Sequence, residues 1–216
     1  MFASIRRYRL RQGSMEELAR RVDDGFAREI SAQPGFVSYE FIDCGEGEVI
    51  TLSIFREADE AEASRVLAHR WTEGSLRDFE FSRIEGLRGE ILVSRAASDM
   101  LEPGHAGTGD KFASLRRYRL RTGSVAELMH VVDDVFAERI QRMEGFEAYH
   151  ALDCGRSEIV SISLFSDQAT AEESDEHALE FIRDELGDLD IERSEVIGGR
   201  VTVSRALADL LEPAHV

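Results

Sequence analysis

The chain reads as an α+β protein built of two like domains in tandem, and three features of the sequence carry that reading. Residues 2–105 align with residues 112–215 at a constant offset without a gap, with roughly 44 % of positions identical. Each copy runs through strand-like and helix-like hydrophobic periodicities in the order strand-helix-strand-strand-helix-strand. The repeat is too long for a solenoid unit and has the size of a small domain, so each copy is expected to bury a core of its own. The sequence therefore divides into a first domain over 1–105, a Gly-rich linker over 106–111 and a second domain over 112–216.

In the first copy, Phe2 to Arg11 mixes Ile, Tyr and Phe with Arg and reads as a strand ended by Gln12-Gly13. Ser14 is a good helix N-cap, and Glu17 three residues on completes a capping-box pattern. Met15, Leu18, Val22, Phe26 and Ile30 follow at spacings of three and four, the stripe of an amphipathic helix that Pro34-Gly35 stops. Phe36 to Ile42 and Val49 to Phe55 are two strands around the Asp43-Cys44-Gly45 turn, a hairpin by its length and Gly content. A second helix is expected from about Ala58 to Leu76, with Ala61, Ser64, Ala68 and Trp71 inward, matched by Ala171, Ser174, Ala178 and Phe181. A final strand or strand pair spans about Phe79 to Arg95, and a short helix over Ala96 to Leu101 precedes Pro103.

This is the ferredoxin-like order, with both helices on one face of an antiparallel sheet. The other face must be covered too. Two copies in one chain achieve this by packing their sheets together, which predicts an intramolecular pseudo-dimeric α/β barrel. A further homodimer of the tandem chain is compatible with the sequence.

Composition removes several classes of function. With 43 acidic against 26 basic side chains and a net charge of -17, a broad phosphate-binding surface is not expected, so nucleic acid is not a partner. No stretch approaches the roughly 18 apolar residues of a membrane span, and the start MFASIRRYRLR lacks the apolar core of a secretory signal. The expected compartment is the cytoplasm, where Cys44 and Cys154 are most simply reduced thiols. A Schiff base would have to run through Lys111, the single lysine, whose flank GHAGTGDK reads as linker. No His-x-x-x-His or Cys-x-x-Cys spacing occurs, and neither a metal site nor a cofactor is expected.

Arginine in the first strand is the least ordinary feature. Arg6, Arg7, Arg9 and Arg11, repeated as Arg116, Arg117, Arg119 and Arg121, occupy both side-chain parities of a strand expected to be central. At least one of Arg6 and Arg7 must then point inward, where an unpaired guanidinium costs several kcal/mol. Either a ligand anion satisfies the fork of Arg6, Arg7, Arg116 or Arg117, or an internal carboxylate such as Glu40, Glu48 or Asp23 does. Asp23 and Asp24, with Asp133 and Asp134, sit mid-helix, free either to lean toward the sheet or to be solvated. Tyr39 and Tyr149 are the tyrosines best placed to orient a phenol or quinone, with core filling as the alternative. His150, beside Tyr149 and matched by Glu40, is an acid-base candidate in one half only.

The segment RRYRLRQGS, the helix after it, the PGF entry to the second strand and the hairpin ending in Phe55 resemble the antibiotic-biosynthesis-monooxygenase superfamily of dimeric α/β barrels, over both copies nearly end to end. That superfamily includes cofactor-independent monooxygenases of aromatic polyketides, haem-degrading enzymes and quinone-directed proteins. Members often carry Trp at the end of the third strand and His about nine residues later. Here Phe55 and Ser64, and Phe165 and Ser174, stand in those places. The haem-degrading and best understood oxygenase branches also rely on a pocket asparagine, and this chain has no Asn.

Three functions follow. The first is a small-molecule-binding protein for a planar or anionic metabolite, without defined catalysis. The second is a cofactor-independent monooxygenase or isomerase acting on phenolic or quinone-like substrates through Tyr39, Tyr149 and His150. The third is a non-catalytic assembly module whose cavities are filled by Trp71, Phe79 and Phe81.

Overall fold

The computed structural model describes residues 1–97, 110–187 and 189–206. The elements of the first copy are β1 (Phe2–Gln12), α1 (Met15–Arg21), a π-helical turn (Val22–Phe26), α2 (Ala27–Ser31), β2 (Phe36–Gly45), β3 (Glu48–Phe55), α3 (Ala58–Ser75) and β4 (Glu80–Ala96). The second repeats them as β5 (Lys111–Leu120), α4 (Val125–Val131), a π-helical turn (Val132–Ala137), α5 (Glu138–Gln141), β6 (Phe146–Asp153), β7 (Glu158–Phe165), α6 (Gln168–Glu185) and β8 (Ile191–Ala206). Hydrogen bonding orders the strands β1-β3-β2-β8-β5-β7-β6-β4 as a closed barrel, so the fold is the pseudo-dimeric α/β barrel of two ferredoxin-like units. None of the helices among the described residues is long and apolar enough to cross a membrane.

The chain forms two compact units whose boundaries cut through β4 and β8. Of the described residues, one comprises Met1–Arg88 and 199–206, the other those within Gly89–Gly198. In the first unit β2 pairs with the last part of β8, from Asp43↔Arg200 to Ser38↔Ala206. In the second, β6 pairs with the last part of β4, from Glu90↔Asp153 to Ala96↔Ala148. The end of each long strand therefore completes the sheet of the other repeat. Where a strand pair was one option for Phe79 to Arg95, β4 is a single strand of 17 residues. Lys111, read as the end of a linker, opens β5 and is buried with Glu147 at 2.7 Å. Of the short helix expected after β4, Ala96 closes the strand, and residues 98–101 lie outside the described residues.

Strand alternation decides which β1 side chains meet the helices. Ser4, Arg6, Tyr8 and Leu10 share one face, and Tyr8 and Leu10 join Leu18, Val22, Phe26 and Ile30 in the first core cluster. Ala3 and Ile5 bury on the opposite face, as do Ile42, Ile50, Leu52 and Ile54. Each such side chain contributes roughly 1.5–3 kcal/mol when fully buried. The first helix begins where expected: Ser14 Oγ accepts from the Glu17 amide, and Ser124 does the same for Glu127 within a reciprocal capping box. The helices α2 and α5 end before Pro34 and its counterpart Glu144, and Gly35 and Gly145 take positive φ in the turns that follow.

Both copies widen the first helix into a π turn at the same place, Val22–Phe26 and Val132–Ala137. Asp23 and Asp133 stand on these turns and pair with Arg205 and Arg95, near the ends of the exchanged strands. The neighbouring Asp24 pairs with Arg20 and Arg28 on its own helix. Each exchanged strand is thus clasped to the helix of the unit it joins.

Packing over the π turn differs between copies in a compensated way. A Cβ built on Gly25 would sit 3.1 Å from the Trp71 indole. In the second copy Val135 and Phe181 occupy these positions, a larger helix residue against a smaller ring. Gly25→Val alone is therefore expected to overpack the first unit and lower its stability by about 1–3 kcal/mol. Adding Trp71→Phe should restore most of that loss, read as a non-additive double-mutant cycle in urea unfolding. Strictly additive effects would contradict the assignment.

Candidate functional site

The tyrosines line a small space beneath the helices of each unit. In the first, Tyr8, Phe26, Tyr39, Trp71 and Phe81 surround a cavity of about 20 Å³. In the second, Tyr118, Phe136, Tyr149 and Phe181 surround one of about 30 Å³. A single water needs roughly 10–15 Å³, so each space suits a water or two. Tyr39 and Tyr149 pack edge-on against Phe26 and Phe136. Burial pushes both phenols above their ordinary range, so they are neutral hydroxyls at ordinary pH. Trp71 and Phe81 line the first cavity as expected of side chains that fill it, whereas Phe79 packs against the first core cluster and over Gly13.

Tyr149 and His150 are neighbours on β6 and so project from opposite faces of the sheet. The structure does not bring them to one site. His150 is buried, with Nδ1 3.0 Å from Ser94 Oγ. Its counterpart Glu40 is also buried and accepts from Ser204 Oγ at 3.1 Å. Burial lowers the His150 pKa to about 4.

Arg6 and Arg7 part in the same manner. Arg7 lies on the face away from the helices, with Nε 2.6 Å from Glu48, and Arg117 is held by Glu158. Arg6 and Arg116 instead point under α3 and α6 and are almost fully buried, at 2 % and 0 % exposure. Their seats share three serines at equivalent positions: Ser4, Ser53 and Ser64 in the first copy, Ser114, Ser163 and Ser174 in the second. Arg6 donates to Ser53 Oγ at 3.2 Å and to Ser64 Oγ at 2.8 Å. Arg116 donates to Ser163 Oγ at 2.9 Å and to Ser174 Oγ. Ser64 and Ser174 in turn donate to the carbonyls of Ala61 and Ala171. Ser64 and Ser174, on the overlying helices, thus help to seat a guanidinium.

The two seats differ in charge balance. Arg116 Nε lies 2.5 Å from Asp175 Oδ1, which also accepts from Ser114 Oγ at 2.5 Å. The residue matching Asp175 is Arg65, and Arg6 Nε is buried without a hydrogen-bond partner. Burial lowers the Arg6 pKa, and Arg83 and Arg65 add repulsion in the same direction. Arg6 also lines a recess of about 230 Å³, together with Ser4, Arg65, Arg83, Leu87 and Arg88. Glu62 engages Arg65 and Arg88, whereas Arg83 has no ion pair among the described residues. Sequence reasoning reached Arg6 and Arg116. It missed Arg65, Arg83 and Arg88, although the exchange of Arg65 for Asp175 was visible in the alignment of the two copies.

Burial and nearby carboxylates raise the Cys44 and Cys154 thiols to about 12, which leaves little thiolate at ordinary pH. Among the described residues, no group of three or more His, Cys, Asp or Glu has the arrangement to hold a metal ion.

The buried imidazole makes stability depend on pH. Below about 6.5 the unfolded chain protonates His150 while the folded chain keeps it neutral until about pH 4. Its contribution is therefore intact above pH 6.5 and falls by about 3 kcal/mol as the pH drops toward 4. His150→Gln, which retains a polar partner for Ser94, should flatten the unfolding free energy over that window. An unchanged acid profile would show that His150 titrates normally in the folded protein.

No protein-family model matches the chain, and no curated protein matches its sequence. Solved structures do match over nearly its whole length. A "putative monooxygenase" from Fusobacterium nucleatum aligns with a TM-score of 0.72 at 6 % identity, covering 95 % of this chain and 94 % of that one. Another from Lactobacillus acidophilus gives 0.67 at 13 %, covering 95 % and 98 %. An anthrone oxidase-like protein gives 0.55 at 11 %, covering 100 % and 97 %. At these identities the likeness speaks for architecture: the chain has the dimeric α/β-barrel fold of these proteins.

Proposed function

We propose that this chain is a small-molecule-binding protein of the dimeric α/β-barrel type, acting in the cytoplasm, whose ligand is an anionic metabolite held at Arg6. One observation carries the reading: Arg6 is buried, its guanidinium lacks a carboxylate partner, and the residue lines a recess of about 230 Å³. A buried charge of this kind costs several kcal/mol unless an anion offsets it. The tyrosine-lined spaces, at about 20 and 30 Å³, are too small for a metabolite in this conformation. In this reading Arg7 and Arg117 are structural, being engaged by Glu48 and Glu158.

A second reading takes its support from the likeness to proteins described as monooxygenases and anthrone oxidase-like. It makes the chain a cofactor-independent monooxygenase or isomerase of phenols or quinones. Because Tyr39 and Tyr149 are buried neutral phenols, they would serve as hydrogen-bond donors, after a movement of α3 or α6 that enlarges the space. Oxygen uptake with a phenol and quinol panel that falls in Tyr39→Phe would favour this reading.

Calorimetric titration of benzoate against benzamide separates the readings. The binding reading expects benzoate alone to bind, with a loss on the order of tenfold or more in Arg6→Met, the equivalent of a charged hydrogen bond of about 1.5–3 kcal/mol. Equal binding of both compounds, or benzoate binding unaffected by Arg6→Met, would contradict it.

A further inference from the structure

Building on the anion-binding reading, we infer that the first copy takes a carboxylate in the position that Asp175 fills in the second, so that the chain carries one such site rather than two. The duplication itself points to this site. Ser4, Arg6, Ser53, Ser64 and Arg83 are matched by identical residues at 114, 116, 163, 174 and 193. Around this shared framework two charged positions differ, Arg65 against Asp175 and Arg88 against Gly198. Over positions 6, 62, 65, 83 and 88 the first copy carries a net charge of +3, while the matching positions of the second sum to zero.

The second copy displays the occupant. Asp175 Oδ1 receives Arg116 Nε and Ser114 Oγ, both at 2.5 Å, so this framework presents a guanidinium N–H and a hydroxyl to one carboxylate oxygen. The first copy retains the same two residues, leaves Arg6 Nε without a partner and has a recess lined by Ser4, Arg6 and Arg65. Arg65, the residue in the place of Asp175, is turned outward to Glu62 and shares it with Arg88. A ligand carboxylate entering the recess would receive Arg6 Nε and reach Arg83, the rim cation that has no ion pair among the described residues. Charge-assisted bonds of this type are about twice as strong as neutral ones. The one position at which the copies carry Arg65 or Asp175 thus separates a ligand position from a structural ion pair.

The test is titration calorimetry of the intact chain at low salt with acetate, benzoate and inorganic phosphate. Arg65→Asp gives the first copy the carboxylate that the second already has. The expected result is one equivalent of carboxylate on the wild type and none detectable on either Arg6→Met or Arg65→Asp. Arg65 is exposed, so Arg65→Asp should fold and melt no lower than the wild type. As a second readout, Asp175→Ala in the Arg65→Asp background exposes the other seat, and acetate should raise the melting temperature of that double variant but not of Arg65→Asp alone. Arg6-dependent binding that survives Arg65→Asp, two equivalents on the wild type, or tighter binding of phosphate than of carboxylate would overturn this inference while leaving the anion-binding reading intact. Absence of binding by every probe would overturn both.

Discussion

A guanidinium driven beneath a helix is the constraint on which the rest of this architecture turns. Arg6 and Arg116 lie on the helix-facing side of a central strand, among groups that otherwise build an apolar core. Desolvating such a charge is expensive, and its partners therefore have to be built. Serines on the neighbouring strand and on the overlying helix, Ser53 and Ser64 or Ser163 and Ser174, supply acceptors for the outer nitrogens. The remaining Nε is what distinguishes the copies, being closed by Asp175 in one and open in the other. Fold and function meet at that one nitrogen.

The duplication works as an internal control. Features kept in both halves serve the fold: the serine caps, the positive-φ glycine after the first helix, the π turn and the Asp–Arg clasps on the exchanged strands. Gly89 and Gly199 belong with them, since a Cβ on either would meet the backbone oxygen of Asp153 or Asp43 at about 2.5 Å as the long strand crosses its neighbour. Divergent pairs fall into two kinds. Gly25 with Trp71 against Val135 with Phe181 is a conserved volume divided differently. Arg65 against Asp175 reverses a charge and leaves an uncompensated guanidinium behind, which packing alone does not explain.

Much of the fold was legible because its signals are local. Periodicity and Ser14 and Ser124 as caps placed most strand and helix bounds to within a residue or two, but the Asp43-Cys44-Gly45 turn was misplaced, because these residues continue β2, with Asp43 and Gly45 paired to β3. The π turns were not legible, because nothing in VDDGF or VDDVFA marks a helix that widens by one residue. Nor was the exchange of strand ends, which depends on the pairing of β4 with β6 and of β2 with β8 rather than on any pattern within a strand. For the site, alternation required Arg6 and Arg7 to part, yet both faces of β1 carry apolar residues, so the direction each took was decided only by where the helices pack. Position 65 lies nearly sixty residues from Arg6 in the chain, and its bearing on the guanidinium appears only when the helix is laid over the strand.

The most direct measurement follows the Nε–Hε resonances of Arg6 and Arg116 by nitrogen-15 NMR while sodium acetate is added against a sodium chloride control. With Arg116 already held by Asp175, its Hε signal should remain in place. The Arg6 signal should shift and saturate with acetate, since that N–H has no carboxylate in the free protein. An Arg6 signal that ignores acetate, or two signals that move together, would contradict the account.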